Sequence, residues 1–368
     1  MEPIVVKMPS VNTDRADSTQ DAFFIRLHTD EGLVGLGEAD TSPYLAKTMV
    51  EMPSSHGYAQ SLRELLVGRN PLEIDRLWND MYMATYYYGR FGFALHVMSA
   101  VDMALWDLAG KYYEQPLYQL WGGARQKSVK PYASELMPPT VEETRQVAEK
   151  AVADGFSALK LGWGTLGQDL RLDELRLRAA REALGPDRGL MLDGGMKFTV
   201  RSATELARRV EDIGLYWFEE PFFAENLSAY QRLSDATNVR VAAGEQEATA
   251  PPYRRLAEHG VDVLQPDLAR CGGPTVGLQV ARIAEEHSIE VIPHCWSTGV
   301  LVAATLHLVA TLAKTSFSEF SVVDSPLAGG GELLREPFRL QNGRLHVPEG
   351  HGLGIELNDE VVEKLRCD

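Results

Sequence analysis

Six short runs decide the fold: GLMLDGG (189–195), LYWFEE (215–220), VRVAAGE (239–245), VDVLQPD (261–267), IEVIPH (289–294) and FSEFS (317–321). Each brings in a side chain that carries chemistry: Asp193, Glu219, Glu245, Asp267, His294 and Glu319. Those six follow one another at intervals of 26, 26, 22, 27 and 25 residues, with helix-like sequence between them. One parallel strand, one crossover helix and two short loops take about 25 residues. The absence of polar alternation inside the runs is what strands covered on both faces require. The simplest object that gathers such residues on one face is a (β/α)₈ barrel, whose chemistry sits at the carboxyl ends of its strands.

Working outward, the repeat extends upstream. PYASEL (131–136) reads as the first strand, and Thr140 with Glu143 forms a capping box for a helix reaching 153. SALKL (157–161) reads as the second strand, followed by a helix over 169–183; further helices are expected over 200–213, 227–235, 252–259, 275–287 and 299–312. Residues 1–127 have a different pattern. Three strands are expected over 4–7, 22–28 and 33–38, the last two joined by Thr29-Asp30-Glu31-Gly32. A long helix is expected over 95–113, with Val97, Ala100, Val101, Ala104, Leu105 and Leu108 on one stripe. Two loops, 9–19 and 42–56, have the length and position of a lid. The tail FRLQNGRLHV carries an Asn342-Gly343 hairpin signal and is expected to pack back on the first domain. The expected division is an α+β capping domain over 1–127, a barrel over 128–330, and a C-terminal segment over 331–368 that completes the cap.

Bulk properties narrow the function. At 368 residues the chain accommodates a barrel and one accessory domain. A formal net charge of −16 disfavours nucleic acid and anionic membranes as partners, so an anionic substrate must rely on local cations. Cys271, Cys295 and Cys367 supply neither a disulfide framework nor zinc-type spacing. With no signal-peptide pattern at the start and no apolar run of about 20 residues, the chain reads as cytoplasmic.

Asp193, Glu219 and Glu245, at the ends of consecutive strands, are placed to converge on one cation. A lone carboxylate there would more simply cap the next helix, but three together repel one another unless an ion sits between them. All-oxygen ligation selects a hard ion, one Mg²⁺ per chain, with Mn²⁺ able to substitute. Strand alternation sends the adjacent Glu219 and Glu220 to opposite sides, and the spacing makes Glu219 the inward one. Glu247 is a weaker competitor of Glu245. Asp267 and His294 end neighbouring strands, where a carboxylate fixes the imidazole tautomer and raises its basicity.

LMLDGG, WFEEP, AAGE, LQPDLARCGG and PHCWSTG, in this order and spacing, resemble the enolase superfamily, specifically its mandelate racemase subgroup. SAVDMALWDLAGK also resembles the last helix of that family's capping domain, so the resemblance covers nearly the whole chain. It implies a capping domain over a modified (β/α)₈ TIM-type barrel, Mg²⁺ on Asp193, Glu219 and Glu245, and a His294–Asp267 dyad acting as base or acid. It also implies that Glu319 is a carboxylic acid that hydrogen-bonds the substrate carboxylate as it becomes an enolate. Such a role requires the protonated form, which burial favours. The family usually carries Lys-x-Lys on the second strand, whereas this chain has Lys160-Leu161-Gly162. Lys160 is then either a partner of the substrate carboxylate or itself the base. Where the family often has Asn, Gly195 stands, and Lys197 is a substitute polar contact. Tyr44, His56 and Trp296 are candidate liners of the substrate site.

One retained base favours dehydration of a sugar acid, an aldonate or aldarate, by proton abstraction α to the carboxylate and loss of the β-hydroxyl. A racemase or epimerase of a 2-hydroxy acid using Lys160 and His294 is the alternative. A metal-binding barrel without catalysis is the alternative of another class. The expected partner is a small carboxylate, and the family's habit is a homo-oligomer, a dimer or an octamer.

Overall fold

The computed structural model describes residues 1–13 and 19–367. The chain opens with β1 (Glu2–Lys7), β2 (Asp21–His28) and β3 (Val34–Ala39), an antiparallel sheet in the order β1-β2-β3. Then come α1 (Pro43–Glu51), α2 (Leu62–Leu66), α3 (Ile74–Ala84), α4 (Tyr86–Gly89), α5 (Phe93–Tyr112) and α6 (Leu117–Leu120). The α5 stripe lies on the sheet so closely that a Cβ at Gly37 would fall 1.9 Å from the Ala100 carbonyl oxygen. The lid reading of 9–19 falls partly on residues 14–18, which lie outside the described residues. The second expected loop, 42–56, is corrected: most of it is α1, started by Pro43 at its first turn, where proline's fixed φ and missing N–H cost nothing.

After β4 (Ser128–Val129) the expected alternation follows: β5 (Pro131–Leu136), α7 (Val141–Ala153), β6 (Ala158–Gly162), α8 (Leu170–Leu184), β7 (Gly189–Asp193), α9 (Val200–Arg209), β8 (Trp217–Glu219), α10 (Leu227–Ala236), β9 (Val241–Ala243), α11 (Ala250–Glu258), β10 (Val263–Leu264), α12 (Pro274–His287), β11 (Glu290–Val291), α13 (Gly299–Thr311) and β12 (Ser318–Ser321). The eight strands β5 to β12 are parallel, in the order β11-β10-β9-β8-β7-β6-β5-β12. Across the seam between β11 and β12, the Cys295 N–H donates to Glu319 Oε2 at 2.6 Å. This is a (β/α)₈ TIM-type barrel.

Alternation within the strands sorts the core into two layers. Tyr132, Ala158, Met191, Trp217, Ala242, Val263 and Ile292 form one cluster inside the barrel, while their strand neighbours Leu159, Leu190, Leu192, Phe218, Val241 and Leu264 pack outward with the helices. Two residues further along β6, β7 and β8 than the interior layer stand Lys160, Asp193 and Glu219, so the barrel floor is apolar and its ceiling is charged. The helix starts are well capped. Thr140 and Glu143 form the reciprocal box on α7, and Asp169 accepts from the N–H groups of Arg171 and Leu172 on α8.

Asn342 and Gly343 take the left-handed conformations of a tight turn, and β13 (Leu345–His346) pairs with β4. The tail reaches the first domain further on. The Leu353 N–H donates to Asp107 on α5, and α14 (Asp359–Leu365) leads to Arg366, which bridges to Val6 on β1. Among the described residues, no helix is long and apolar enough to cross a membrane, and the cysteines at 271, 295 and 367 are free.

Candidate active site

Asp193 and Glu219 end β7 and β8 side by side, and Gly162 pairs with Asp193 from β6. Glu245 follows β9 by two residues; Asp267 and His294 each stand three residues beyond β10 and β11. One carboxylate oxygen from each of Asp193, Glu219 and Glu245 lies within 4.8 Å of the others, and all three residues are buried. Glu220 faces away and accepts the Gly244 N–H at 2.9 Å, with a backbone φ of 30°.

The other atoms of the triad are firmly held. Asp193 accepts the Gly195 N–H at 2.9 Å and the Trp163 indole N–H at 3.0 Å. Glu219 accepts the Trp217 indole N–H at 2.9 Å. Burial, reinforced by Glu219, pushes Asp193 well above the usual carboxylate range. Glu245 Oε2 is buried without a hydrogen bond, although it lies 3.1 Å from His294 Nε2; the pair is close but not aligned. Crowded, desolvated carboxylates and an orphaned acceptor fit a divalent hard cation, with nitrogen and sulfur absent from the donor set.

Lys160 is the counter-charge inside this cluster. Its Nζ sits 2.6 Å from Glu219, 2.8 Å from Glu319 and 3.9 Å from Asp193. Burial works against its charge, but Glu219 and Glu319 more than offset that and hold it protonated. The expectation of a protonated Glu319 is corrected for this arrangement. Burial alone would favour it, yet Lys160 and His294 keep the group below the usual carboxylate range.

The dyad forms as well. His294 Nδ1 lies 2.6 Å from Asp267 Oδ2, whose other oxygen accepts the Ala269 N–H at 2.7 Å. Burial opposes charge on His294, but Glu245, Glu319 and Asp267 outweigh it and raise the imidazole to about 10. Its Nε2 is the edge turned toward Glu245 and the carboxylate triad.

Lys160, Asp193, Glu245 and His294 line a cavity of about 650 Å³ under the capping domain, with Lys197 and Trp296 also in the wall. Tyr44 and His56 do not line it, which corrects that expectation. Tyr44 points outward from α1 to Cys367 Sγ at 3.3 Å, and His56 stands edge-on against Tyr87. Sequence reading missed Arg270, Asp40 and His96. Arg270 Nε donates to Asp40 at 2.7 Å, and its guanidinium lies 3.7 Å from Glu245 and 3.8 Å from Asp267. His96, on α5, is kept neutral chiefly by burial, its imidazole lowered to about 4. Arg270, in LARCGG, was in view, but its partner is 230 residues away and carried no local signal.

A barrel capped in this way, with a carboxylate triad and a facing His–Asp pair, defines a class of enzyme. The chain belongs to the mandelate racemase / muconate lactonizing enzyme family: residues 2–122 match its N-terminal domain, and residues 143–361 match the enolase C-terminal domain-like model. It is 33% identical to a D-galactarolactone cycloisomerase of Agrobacterium fabrum, over 93% of this chain and 90% of that one. It is 32% identical to a D-gluconate dehydratase of Thermoproteus tenax, over 100% of this chain and 74% of that one. A racemase from Streptomyces coelicolor A3(2), solved with bound magnesium, superposes with a TM-score of 0.87 at 28% identity, covering 100% of this chain and 99% of that one.

Proposed function

We propose that this chain is a Mg²⁺-dependent dehydratase of an acid sugar, converting an aldonate or aldarate to a 2-keto-3-deoxy acid. The observation that carries the reading is an asymmetry between the cavity walls. His294, oriented by Asp267, turns its Nε2 into the cavity beside Glu245, whereas β6, on another wall, offers only Lys160, locked between Glu219 and Glu319. The position of a second lysine is Gly162, where a Cβ would fall 2.4 Å from Asp193 Cβ.

A proton α to a carboxylate is very weakly acidic, and its removal builds a second negative charge. A divalent cation held by Asp193, Glu219 and Glu245 supplies the positive charge that stabilises it. The protein's own part is proton handling. With a cation offsetting the charge of Glu245, the His294 imidazole would give up its proton and take the C2 proton at Nε2, the resulting imidazolium being stabilised by Asp267. The same Nε2 then protonates the C3 hydroxyl, which leaves as water with the electron pair of its C–O bond. The enol product tautomerises to the ketone. One group on one face serves both steps, so the elimination is syn. Racemisation needs a base on each face, and β6 does not supply the second. Magnesium on the superposed racemase and the name of the gluconate dehydratase relative support the metal and the reaction.

A second reading is favoured by the similarity to D-galactarolactone cycloisomerase. There the base is unchanged and the leaving group differs: if the β-oxygen belongs to a ring, elimination opens the ring and the product is an isomer. Incubation with a library of acid sugars and their lactones in Mg²⁺, followed by mass spectrometry, decides. Loss of water from an open acid is expected. Mass-neutral conversion of a lactone alone would replace dehydration by isomerisation, and exchange of C2 deuterium without either product would point to racemisation. No reaction across the library would return the chain to a binding role.

A further inference from the structure

Among the described residues, three lysine or arginine cations stand in the cavity wall besides the His294 imidazole: Lys160, Arg270 and Lys197. Two are spent on the protein, Lys160 on Glu219 and Glu319, and Arg270 on Asp40. Lys197 differs. Among the described residues it has no carboxylate within ion-pair distance, and its ammonium donates to the Gly164 carbonyl at 2.6 Å while lying 5.9 Å from the centre of the Trp163 ring. Two of its N–H groups are left for another acceptor.

The loop that carries it is built to hold it there. Trp163 and Met196 adopt left-handed backbone conformations, φ 59° and 61°, which non-glycine residues hold only when their surroundings impose them. Gly195 is pressed against the Trp163 ring, where a Cβ would fall 3.1 Å away. Trp163 in turn donates to Asp193. The chain Asp193–Trp163–Lys197 therefore sets one cation at a fixed place relative to the metal ligands. In the ring of eight strands, β7 and β11 are four apart, so Lys197 stands across the mouth from His294. The acids of the wall lie elsewhere. Asp193 and Glu245 belong to the metal cluster, Asp40 to Arg270, and Glu135 is next to last on β5, two strands away.

We infer that Lys197 receives the distal carboxylate of a diacid, so that the preferred substrate is an aldarate rather than an aldonate. This rests on the acid-sugar reading above and narrows its substrate class. A molecule whose C1 carboxylate faces the triad and whose C2 proton faces His294 extends its other end toward the mouth. Of the cations there, Lys197 is the one left to meet a second anion. An exposed ammonium with two open donors suits a carboxylate better than a neutral terminal hydroxyl.

The test compares wild type, Lys197→Met and Lys197→Arg on a hexarate and the hexonate of the same stereochemistry, with Mg²⁺. Wild type should prefer the diacid in kcat/KM. In Lys197→Met the ratio of diacid to monoacid kcat/KM should fall by about tenfold or more, mainly through KM, and Lys197→Arg should keep most of it. An unchanged ratio in Lys197→Met, or a wild type that prefers the monoacid, would overturn the inference. If neither acid is turned over, the dehydratase reading fails by itself, and calorimetry of the Mg²⁺-loaded protein with the same two acids still decides. Tighter diacid binding that disappears in Lys197→Met supports the role of Lys197; equal affinities reject it.

Discussion

Gly162 and His294 set the chemistry between them. Because a side chain at 162 would collide with Asp193, even Gly162→Ala should displace a metal ligand, and its Mg²⁺ affinity by calorimetry should fall clearly below that of wild type. An unchanged titration would show that β6 has slack and that its glycine is incidental. His294→Asn should lower kcat by about 10²- to 10⁴-fold, the usual worth of a positioned acid–base group, while Mg²⁺ still binds. Normal turnover in that variant would remove His294 from the reaction. At this scale the sequence was most legible where chemistry and strand position coincide. Asp193, Glu219 and Glu319 could be placed because a polar residue inside an apolar run is conspicuous. The ionisation of Glu319 could not, because it depends on Lys160 arriving from another strand at 2.8 Å.

At the scale of elements, the capping domain holds the barrel loops by their helix starts. Glu38 on β3 accepts from the Ser297 hydroxyl and from the N–H groups of Thr298 and Leu301, at the N-terminus of α13, just after His294. Asp102 on α5 does the same for Thr275 on α12, just after Arg270. A carboxylate suits a helix N-terminus in both charge and geometry. Glu38→Gln would turn an amide N–H₂ toward those donors, and should destabilise the protein by about 1–3 kcal/mol in denaturant unfolding; an unaltered midpoint would mean the clasp is dispensable. The far side of α13 carries a pH response. His307 accepts the Tyr118 N–H and contacts the Leu353 carbonyl at 3.1 Å, and burial lowers its imidazole to about 4. An unfolded histidine titrates near 6.5, so between about 6.5 and 4 the unfolded chain takes up a proton that the native one refuses. This contribution to stability is present above about pH 6.5 and is lost as pH falls toward 4, up to about 3 kcal/mol. His307→Gln, though less stable at neutral pH, should show a shallower decline over that range, and parallel curves would exclude His307 as the source. Neither clasp could be read in advance, since Glu38 and Thr298 are 260 residues apart and share no local pattern. The misreading of α1 as loop has a different cause: Ser42 makes no side-chain cap and Pro43 reads first as a breaker.

Taken whole, the molecule concentrates acid where a barrel can least tolerate it. The repeat was legible because parallel strands covered on both faces must be apolar, which left the six functional side chains standing out at intervals near 25 residues. The same burial makes the centre electrostatically costly, since three carboxylates face one another and Lys160 is shared with Glu319. Stability and metal content should therefore be linked. A cation that binds only the folded protein stabilises it by mass action, by about 2.7 kcal/mol at a concentration 100 times its dissociation constant. Thermal unfolding should accordingly shift upward with added Mg²⁺ or Mn²⁺ and fall back with a chelator, together with activity. Glu245→Gln separates the two effects. Removing one of the three charges relieves repulsion in the metal-free protein, so its melting temperature without metal should match or exceed that of wild type. It also removes a ligand, so the upward shift with Mg²⁺ should shrink. A variant that melts lower without metal and keeps the full Mg²⁺ increment would mean that Glu245 is a structural acid and that the ion sits elsewhere.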